Sequence, residues 1–321
     1  MRVLVTGGAG FIGSHLCEAL LQSGNSVIAA DNYSTSTPDN LNHLKDYPEM
    51  EIHELDVVTD ADNLEKLISR CDAVFHLAAA VGVDMVVKQP VHTITTNVKG
   101  TENVLLPCAK YRKRVIVAST SEVYGKSTNE KFSEKDDLLI GSPFHSRWCY
   151  ASSKLLDEFL LMAYHREYNL PGTIVRFFNT VGPRQTGRYG MVIPRFVEAA
   201  LNNQSLKVYG DGRQSRCFCH VKDVVRALML LLNCQESYGG IFNIGSEESV
   251  SIENLAKLVI KYTQSESGIE YIPYDVAYAA GFEDMRRRFP DISQINQLVG
   301  WRPELTLQRI ITDVASHIKN Q

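Results

Sequence analysis

The strongest constraint on the fold is a glycine-rich stretch, TGGAGFIG at residues 6–13, that directly follows the apolar run at residues 3–5. An amphipathic stretch at residues 15–21 comes next. A short buried strand that leads through a glycine turn into a helix is typical of the βαβ unit that binds a dinucleotide. The opening of the chain therefore predicts such a unit.

Three glycines of this stretch have a physical role in such a unit. Gly7 permits the tight turn, Gly10 lets the backbone approach a pyrophosphate, and Gly13 lets the helix pack closely on the strand. We assign Phe11 and Ile12, which lie between the last two glycines, to the same cofactor site. The helix N-terminus offers free N–H groups and a positive dipole end to phosphates. The alternative is a glycine-rich turn that binds no ligand.

The second half of the dinucleotide signature follows at the predicted second strand. Residues 27–30 are apolar, and Asp31 ends the run. An acidic residue about 20 positions after the glycines accepts hydrogen bonds from the adenosine ribose hydroxyls. It would also repel the extra phosphate of NADP, so the predicted cofactor is NAD. We place Asn32 at the same site, although both residues also suit an ordinary turn at the end of a strand.

Short apolar strands alternate with helical patterns through the first half of the chain. The alternation predicts a parallel sheet with helices on both faces, a doubly wound, Rossmann-type α/β fold. The strands are predicted at residues 2–6, 26–31, 51–55, 73–77, 114–119 and 172–178, and the helices at residues 11–23, 61–70, 92–112 and 148–168.

The second half has a more mixed pattern, with helical stretches near residues 191–202, 221–233, 252–264 and 306–319. We expect an NAD-binding domain over residues 1–178 and a smaller α/β lobe, mainly for substrate, over residues 179–321. The chain is expected to return to the first domain around residues 214–245.

Composition excludes several classes of protein. The net charge of −4 gives no reason to expect a nucleic acid or an anionic membrane as partner. The longest apolar stretch, near residues 224–232, is too short to cross a bilayer. The seven cysteines are odd in number and scattered, which argues against a disulfide framework. Cys217 and Cys219 lack a second pair at metal-ligand spacing, so we expect no metal. Because no apolar stretch is long enough to cross a bilayer, we expect a cytoplasmic enzyme.

Tyr150 and Lys154 form the pattern Y-x-x-x-K on a predicted helix, where residues four apart share one face. A free tyrosine has a pKa of about 10, and a nearby ammonium would lower it. Tyr150 could then take the proton of an alcohol, while Lys154 could also reach the nicotinamide ribose. The pattern is common by chance, and its alternative is a surface Tyr/Lys pair.

STSEVYG at residues 119–125 ends the predicted strand that starts at residue 114. With TGGAGFIG and the Tyr150/Lys154 pair, it makes the chain resemble the extended short-chain dehydrogenase/reductase family of nucleotide-sugar enzymes. The resemblance covers nearly the whole chain, with further motifs at Asp56 and Val57, residues 76–79 (HLAA), Asn97, residues 176–179 (RFFN) and residues 182–184 (GPR).

The resemblance implies roles for these residues. Asp56 and Val57 would flank adenine, and a further set would contact the rest of the NAD: Leu77, Ala78, Ala79 and Asn97. Thr120 would hydrogen-bond the sugar C4 oxygen beside Tyr150. The alternatives are an aspartate at a strand end, small core residues and a capping threonine.

Members of this family share a first step, in which NAD oxidises the sugar C4 hydroxyl to a ketone, and they differ in the second. A C4 epimerase needs no carboxylate at C5. A 4,6-dehydratase needs an acid where this chain has Ser121, which is a poor general acid. Thr120, Ser121 and Glu122 together resemble UDP-glucuronate decarboxylases, in which the C4 ketone makes a β-keto acid that loses CO₂. We assign these three residues to catalysis.

The C-terminal lobe points to the same subgroup. Residues 281–291 (GFEDMRRRFPD) resemble the decarboxylase segment that carries an active-site arginine, and Arg288 matches that position. It could bind the carboxylate or deliver a proton to C5. The motif at residues 146–148 (SRW) also resembles decarboxylases. The alternative for residues 286–288 is a solvated basic surface.

Other arginine and aromatic residues suit a nucleotide diphosphate. Asn179, Arg184 and Arg188 follow the sixth strand, near the expected sugar site. Tyr209 could pack on a uracil ring, and Arg216 matches a family position that binds the diphosphate through its bidentate fork. For Arg188 in particular, ion pairing with surface acids is the alternative.

These features predict an enzyme with tightly held NAD that acts on a UDP-sugar. UDP-glucuronate decarboxylation is the first hypothesis. The alternatives are a UDP-glucose or UDP-glucuronate 4-epimerase, then a 4,6-dehydratase, and, in another class, an NAD-binding regulator without turnover. The resemblance also implies a homodimer built through two helices from each subunit, including the one that bears Tyr150.

Overall fold

The structure is a computed structural model that describes residues 1–187, 191–273 and 288–320, apart from the side chains of residues 83 and 84. Its strands are β1 (Arg2–Thr6), β2 (Ser26–Asp31), β3 (Met50–Glu54), β4 (Ala73–His76), β5 (Arg114–Thr120), β6 (Gly172–Phe177), β7 (Thr180–Val181), β8 (Leu206–Tyr209), β9 (Ser215–Cys217), β10 (Cys219–His220), β11 (Gly240–Ile244), β12 (Ser249–Ser251) and β13 (Ile269–Ile272).

Eight of the described helices lie close to their predicted positions, and two short helices, Val83–Lys88 and Ser293–Val299, were not predicted. The helices are α1 (Phe11–Gln22), α2 (Ala61–Ser69), α3 (Val83–Lys88), α4 (Pro90–Lys110), α5 (Trp148–Tyr168), α6 (Val192–Leu201), α7 (Val221–Leu232), α8 (Ile252–Thr263), α9 (Ser293–Val299) and α10 (Leu307–Lys319). Among the described residues, no helix combines the length and the apolar composition needed to span a bilayer.

A seven-stranded sheet forms the centre of the molecule, in the order β11-β6-β5-β4-β1-β2-β3. Each neighbouring pair in it is parallel. Val3, Leu4 and Val5 of β1 are fully buried, because helices cover both faces of the sheet. This confirms the predicted doubly wound α/β fold.

The strand order reverses between β1 and β4, because β1 pairs with β2 on one side and with β4 on the other. In open α/β sheets, ligands bind outside the carboxyl ends of the strands at such a switch point. The glycine turn after β1 and the polar end of β5 both lie at this edge.

The outermost strand on the β6 side, β11, comes from the second half of the chain. Helix α7, which also comes from that half, packs its apolar side on α1 through Val224, Leu228 and Leu231. The division of the chain into domains at residue 178 stays a prediction.

A second core lies among helices α6, α8 and α10, with Val197, Leu255 and Ile311 at its centre. Strands β8 and β13 pair parallel beside these helices, and β9 pairs antiparallel with β12. This smaller lobe faces the carboxyl ends of the central strands and closes the far side of a cleft.

Candidate active site

A cleft of about 1200 Å³ runs along the carboxyl ends of the central strands. Most residues that the sequence assigned to function line it together: Gly7, Gly10, Phe11, Ile12, Gly13, Asp31, Asn32, Val57, Leu77, Ala78, Ala79, Thr120, Ser121, Glu122, Tyr150, Lys154, Asn179, Arg184, Tyr209, Arg216 and Arg288. Arg188 and residues 281–287 lie outside the described residues.

The glycine turn is packed too closely against the backbone around it to accept side chains. Gly7 has a φ of +70°, a conformation that favours glycine. A Cβ on Gly13 would lie 2.0 Å from the Gly7 carbonyl oxygen, which is a severe clash. Gly10 precedes α1 with no side-chain cap, so the first N–H groups of the helix are open to a ligand. A pyrophosphate fits this arrangement.

Asp31 ends β2 and is held in place by the turns around it. Its Oδ2 accepts a hydrogen bond from the Ala9 amide at 2.9 Å, and its Oδ1 accepts one from the Ser36 hydroxyl at 2.8 Å. The side chain is largely buried but lines the cleft. Its carboxylate therefore places a fixed negative charge at the end of the cleft that lies beside β2.

Two predicted cofactor residues do not line the cleft. Asp56 accepts hydrogen bonds from Asn32 Nδ2 at 2.7 Å and from the Val58 amide at 2.7 Å. Asn97 is buried, and its amide accepts a hydrogen bond from the Ala80 amide at 2.8 Å and donates one to Ser153 Oγ at 3.0 Å. Both side chains hold the loops that form the cleft wall.

Thr120 and Tyr150 meet where β5 ends beside α5. A hydrogen bond from Thr120 favours the ionised Tyr150, but burial and then the Glu122 carboxylate raise the pKa of Tyr150 above its usual value. The pKa is thus raised, whereas the sequence interpretation expected a nearby ammonium to lower it. The Lys154 ammonium is instead bonded to Asp157, with 2.6 Å between Nζ and Oδ2.

Glu122 lies between two buried arginines. Arg288 Nη1 is 3.2 Å from Glu122 Oε1, and Arg147 Nη2 is 4.0 Å from Glu122 Oε2. The Glu122 amide donates to Thr120 Oγ1 at 3.2 Å, in the short 3-10 turn Ser121–Tyr124 that follows β5. Among the described residues of this part of the cleft, two guanidinium groups therefore meet at one carboxylate.

Arg147 was not assigned to the site by sequence reasoning. The signal was present, because Arg147 belongs to the decarboxylase-like motif at residues 146–148, three positions before Tyr150. Its side chain lines the cleft and is 9% exposed. The loop between β5 and α5 brings it to Glu122, and sequence spacing alone does not predict that contact.

The end of the cleft in the smaller lobe carries aromatic and basic groups. Tyr209 ends β8, and its hydroxyl accepts a hydrogen bond from Arg195 Nη2 at 2.6 Å. Arg195 of α6 is a second residue that sequence reasoning missed. Arg216 on β9 is largely buried, and Asn179 Nδ2 donates to the Cys217 carbonyl at 2.8 Å. This end suits a nucleotide base and a diphosphate.

Arg184 lies nearer to the glycine turn than the sequence interpretation placed it. Its Nη2 is 2.7 Å from Glu18 Oε2 on α1, and its Nη1 donates to Ser14 Oγ at 3.4 Å. It still lines the cleft, but the ion pair directs its guanidinium toward the helix that follows the glycines. Arg184 therefore faces the predicted cofactor side.

The buried Cys217 ends β9, and the buried Cys219 begins β10. Burial raises the pKa of both thiols, which disfavours the thiolate form that binds metal. Over the part of the chain that the structure describes, no group of three or more His, Cys, Asp or Glu side chains is arranged to hold a metal ion.

The model of a family described as GDP-mannose 4,6 dehydratase matches residues 4–314. A UDP-N-acetyl-alpha-D-glucosaminuronate decarboxylase of Bacillus cytotoxicus is 41% identical over 310 residues, or 96% of this chain and 94% of that protein. UDP-glucuronic acid decarboxylase 6 of Arabidopsis thaliana is 37% identical over 309 residues, or 96% of this chain and 86% of that protein.

Solved structures share the same architecture. The crystal structure of UDP-glucuronic acid 4-epimerase from Bacillus cereus, in complex with UDP-glucuronic acid and NAD, matches with a TM-score of 0.88 and 30% identity. The match covers 100% of this chain and 99% of that one.

Proposed function

The chain belongs to the extended short-chain dehydrogenase/reductase family that the GDP-mannose 4,6 dehydratase model describes, and we propose that it is an NAD-dependent decarboxylase of UDP-glucuronate. The observation that carries this proposal is the position of Glu122 between Arg147 and Arg288. Guanidinium groups beside Tyr150 suit a sugar with a C6 carboxylate, which a neutral hexose lacks.

The cofactor end of the cleft suits NAD. The uncapped start of α1, beside the tightly packed glycine turn, would hold a pyrophosphate, and Asp31 would accept hydrogen bonds from ribose hydroxyls. NAD, when bound, would supply the acceptor for a hydride from the sugar C4 and the donor for the return of that hydride at the end of the reaction. The fixed charge of Asp31 disfavours the additional phosphate of NADP.

Tyr150 takes the proton of the C4 hydroxyl, and Thr120 holds the phenol oxygen in place by its hydrogen bond. The resulting C4 ketone is β to the C6 carboxylate. The bond between C5 and C6 then breaks, CO₂ leaves, and the electron pair forms an enolate over C4 and C5. Arg288 and Arg147 orient the carboxylate before this step, and Glu122 serves the return of a proton to C5.

A second substrate has specific support. The relative with 41% identity is named for a uronate whose C2 carries an N-acetyl group. The C6 carboxylate and the chemistry at C4 and C5 are the same in both sugars. UDP-N-acetylglucosaminuronate is therefore the second candidate, and the two differ only in the group that the cleft accepts at C2.

The test is incubation of the protein with NAD and each UDP-uronate in turn, with products read by NMR and CO₂ measured separately. Pentose signals without C6, together with CO₂, support the proposal, and the preferred substrate identifies the C2 group. Galacturonate signals without CO₂ would replace decarboxylation by C4 epimerisation. Binding of NAD with no reaction of either sugar would support the regulator alternative.

We further propose a homodimer that forms through α4 and α5. These adjacent helices expose a set of large apolar side chains: Val91, Ile94, Leu106, Leu156 and Phe159. Phe159 is 67% exposed, and covering such a surface on a second copy would remove it from water. Light scattering should give twice the chain mass, and Phe159→Glu should give the monomer. A monomeric unmutated protein would contradict this proposal.

We also propose a cytoplasmic location. All seven cysteines are free, and five of them are buried. Free thiols in this number suit a reducing compartment. Fractionation of the source cells would test this.

A further inference from the structure

One buried asparagine of β11 joins two segments of the candidate active site. Asn243 is fully buried, although it lies on the outermost strand of the central sheet. Its Oδ1 accepts a hydrogen bond from the Tyr124 hydroxyl at 2.7 Å. Its Nδ2 donates to the Phe132 carbonyl at 2.8 Å and to the Asp291 carbonyl at 3.1 Å. The side chain therefore uses its acceptor and both of its donor hydrogens.

Tyr124 belongs to the short turn that places Glu122, and it lies two residues after that carboxylate. Its ring stacks on Phe132, with 4.7 Å between the centroids, and the Arg176 guanidinium lies 4.7 Å from its centroid. Burial raises the pKa of Tyr124 to about 12, so the hydroxyl keeps its proton at neutral pH. The hydroxyl is thus a donor, which fixes the oxygen of the Asn243 side chain toward it.

The other two bonds reach the backbone beside Arg288, in a short segment that we call the Arg288 segment (residues 288–292). This segment pairs with the loop between β5 and α5. The Phe132 amide donates to the Phe289 carbonyl at 2.7 Å, and the Asp291 amide donates to the Phe132 carbonyl at 2.9 Å. The asparagine side chain donates to the carbonyls of Phe132 and Asp291 and so holds both sides of this pairing.

The backbone of Asn243 is itself fixed to the central sheet. It lies opposite Arg176 in the parallel register of β11 and β6, and its amide donates to Glu134 Oε1 at 2.7 Å. Arg176 in turn bonds twice with Glu158 of α5, with 2.9 Å between Nε and Oε1 and 2.7 Å between Nη2 and Oε2. A buried and fully bonded network of this kind specifies one arrangement of the segments that it joins.

The contact between Glu122 and Arg288 depends on this arrangement. Arg288 Nη1 is 3.2 Å from Glu122 Oε1, although the two residues are 166 positions apart in the chain. Glu122 directly follows β5 of the central sheet, whereas Arg288 lies on a segment outside that sheet. We propose that Asn243 is a positioning residue that holds the Arg288 segment against the Glu122 turn. The kinetic consequence rests on the proposed decarboxylation, but the link between the two segments does not.

The first measurement is amide hydrogen exchange in the NAD-loaded protein without sugar. Asn243→Ala removes both donors to the Arg288 segment, so the Asp291 amide should exchange about tenfold faster or more. The Gly125 amide, which donates to the Glu122 carbonyl at 3.0 Å within the turn, should keep its protection within about threefold. An Asp291 amide that stays equally protected in the folded variant would overturn the proposal.

The second measurement is a single turnover with UDP-glucuronate. The appearance of reduced cofactor depends on Tyr150 and Thr120 and should stay within about threefold of the unmutated rate in Asn243→Ala. Its decay, with release of CO₂, needs Arg288 in place and should slow by about 10²-fold for a displacement of about 1 Å. Equal slowing of both phases would overturn the proposal, because general loss of structure has that effect.

A double variant shows whether Asn243 acts through Arg288. Asn243→Ala combined with Arg288→Ala should decay within about twofold of Arg288→Ala alone, because the positioned group is already absent. Effects that multiply would overturn the proposal. If Asn243→Ala fails to fold, Tyr124→Phe carries the test, since it keeps the stacked ring and removes only the bond that orients the amide. Its decay phase should slow by more than about threefold, and a smaller change would overturn the proposal.

The matched control is Thr173→Val at the other end of the pair between β6 and β11. Thr173 is fully buried, lies opposite Gly240 and donates to the Ser237 carbonyl at 2.7 Å. This variant should lower Tm but leave the Asp291 exchange and the decay phase unchanged. A selective loss of the decay phase in it would overturn the proposal. If neither uronate reacts, the proposed function fails, while the exchange measurement still decides whether Asn243 holds the segment.

Discussion

Replacement of Glu122 by glutamine distinguishes decarboxylation from epimerisation. The variant keeps the shape of the side chain but removes the negative charge between Arg147 and Arg288. C4 oxidation depends on Tyr150 and should persist. The later steps at C5 should be slowed by about 10²–10⁴-fold, the usual range for loss of an acid or base group.

The affinity of Glu122→Gln for UDP-glucuronate should rise, although the rate of the steps at C5 falls. Two carboxylates roughly 4 Å apart repel by about 4 kcal/mol at an effective dielectric of about 20. Both arginines and the 20% exposure of the Glu122 side chain screen most of this repulsion. We therefore expect UDP-glucuronate to bind about 1 kcal/mol more tightly to Glu122→Gln, or about fivefold in Kd.

The assay combines calorimetry for Kd with single-turnover spectroscopy and NMR. Reduced-cofactor absorbance should build up in the variant while the pentose product fails to appear. Glu122→Asp is the control, since it keeps the charge on a shorter side chain. Product formation by Glu122→Gln within about threefold of the unmutated rate would refute the role of Glu122 at C5 and favour an epimerase.

Four other perturbations test separate parts of the site. Asp31→Ala should remove the preference for NAD over NADP in binding titrations, and equal binding of both by the unmutated protein would contradict the role of Asp31. Tyr150→Phe should lower turnover by about 10²–10⁴-fold while NAD still binds, and near-normal turnover would place the base elsewhere. Gly13→Ala should weaken NAD binding at least tenfold and lower Tm, because its Cβ would lie 2.0 Å from the Gly7 carbonyl oxygen; unchanged binding would refute the packing argument. Burial lowers the pKa of His76 from 6.5 to about 3. The stability that the neutral ring contributes is therefore present above pH 6.5 and is lost as pH falls toward 3, by about 1.4 kcal/mol per pH unit. The free energy of unfolding from urea melts should show this slope, and His76→Gln should flatten it.

Local spacing predicted much of the cofactor lobe. The glycine turn, the strand that Asp31 ends and the alternation of strands and helices are short-range patterns, and they agree with β1, α1 and β2. The family resemblance is confirmed by the family model over residues 4–314. The turn, the strand end and the alternation could be predicted from the sequence because backbone geometry and periodicity decide them within a few residues.

The pairing of charged side chains could not be predicted in the same way, either between distant segments or along one helix. The motif at residues 146–148 contains Arg147, but only the path of the preceding loop brings its guanidinium to Glu122. The spacing of Tyr150 and Lys154 places the two side chains on one face of the helix. It does not show that Asp157, on the same face, forms an ion pair with the Lys154 ammonium. A pattern that lists neighbours on a helix does not show which of them pair.

The position of β11 in the sheet has a consequence for how the chain folds during synthesis. Strand β6 ends at Phe177, but its outer neighbour begins only at Gly240. Until that strand leaves the ribosome, the nascent sheet has an unpaired edge, and α1 lacks the apolar cover of α7. The cofactor lobe therefore completes its sheet only after α6 and β8 of the smaller lobe have been made, and before α8 and α10 of that lobe follow.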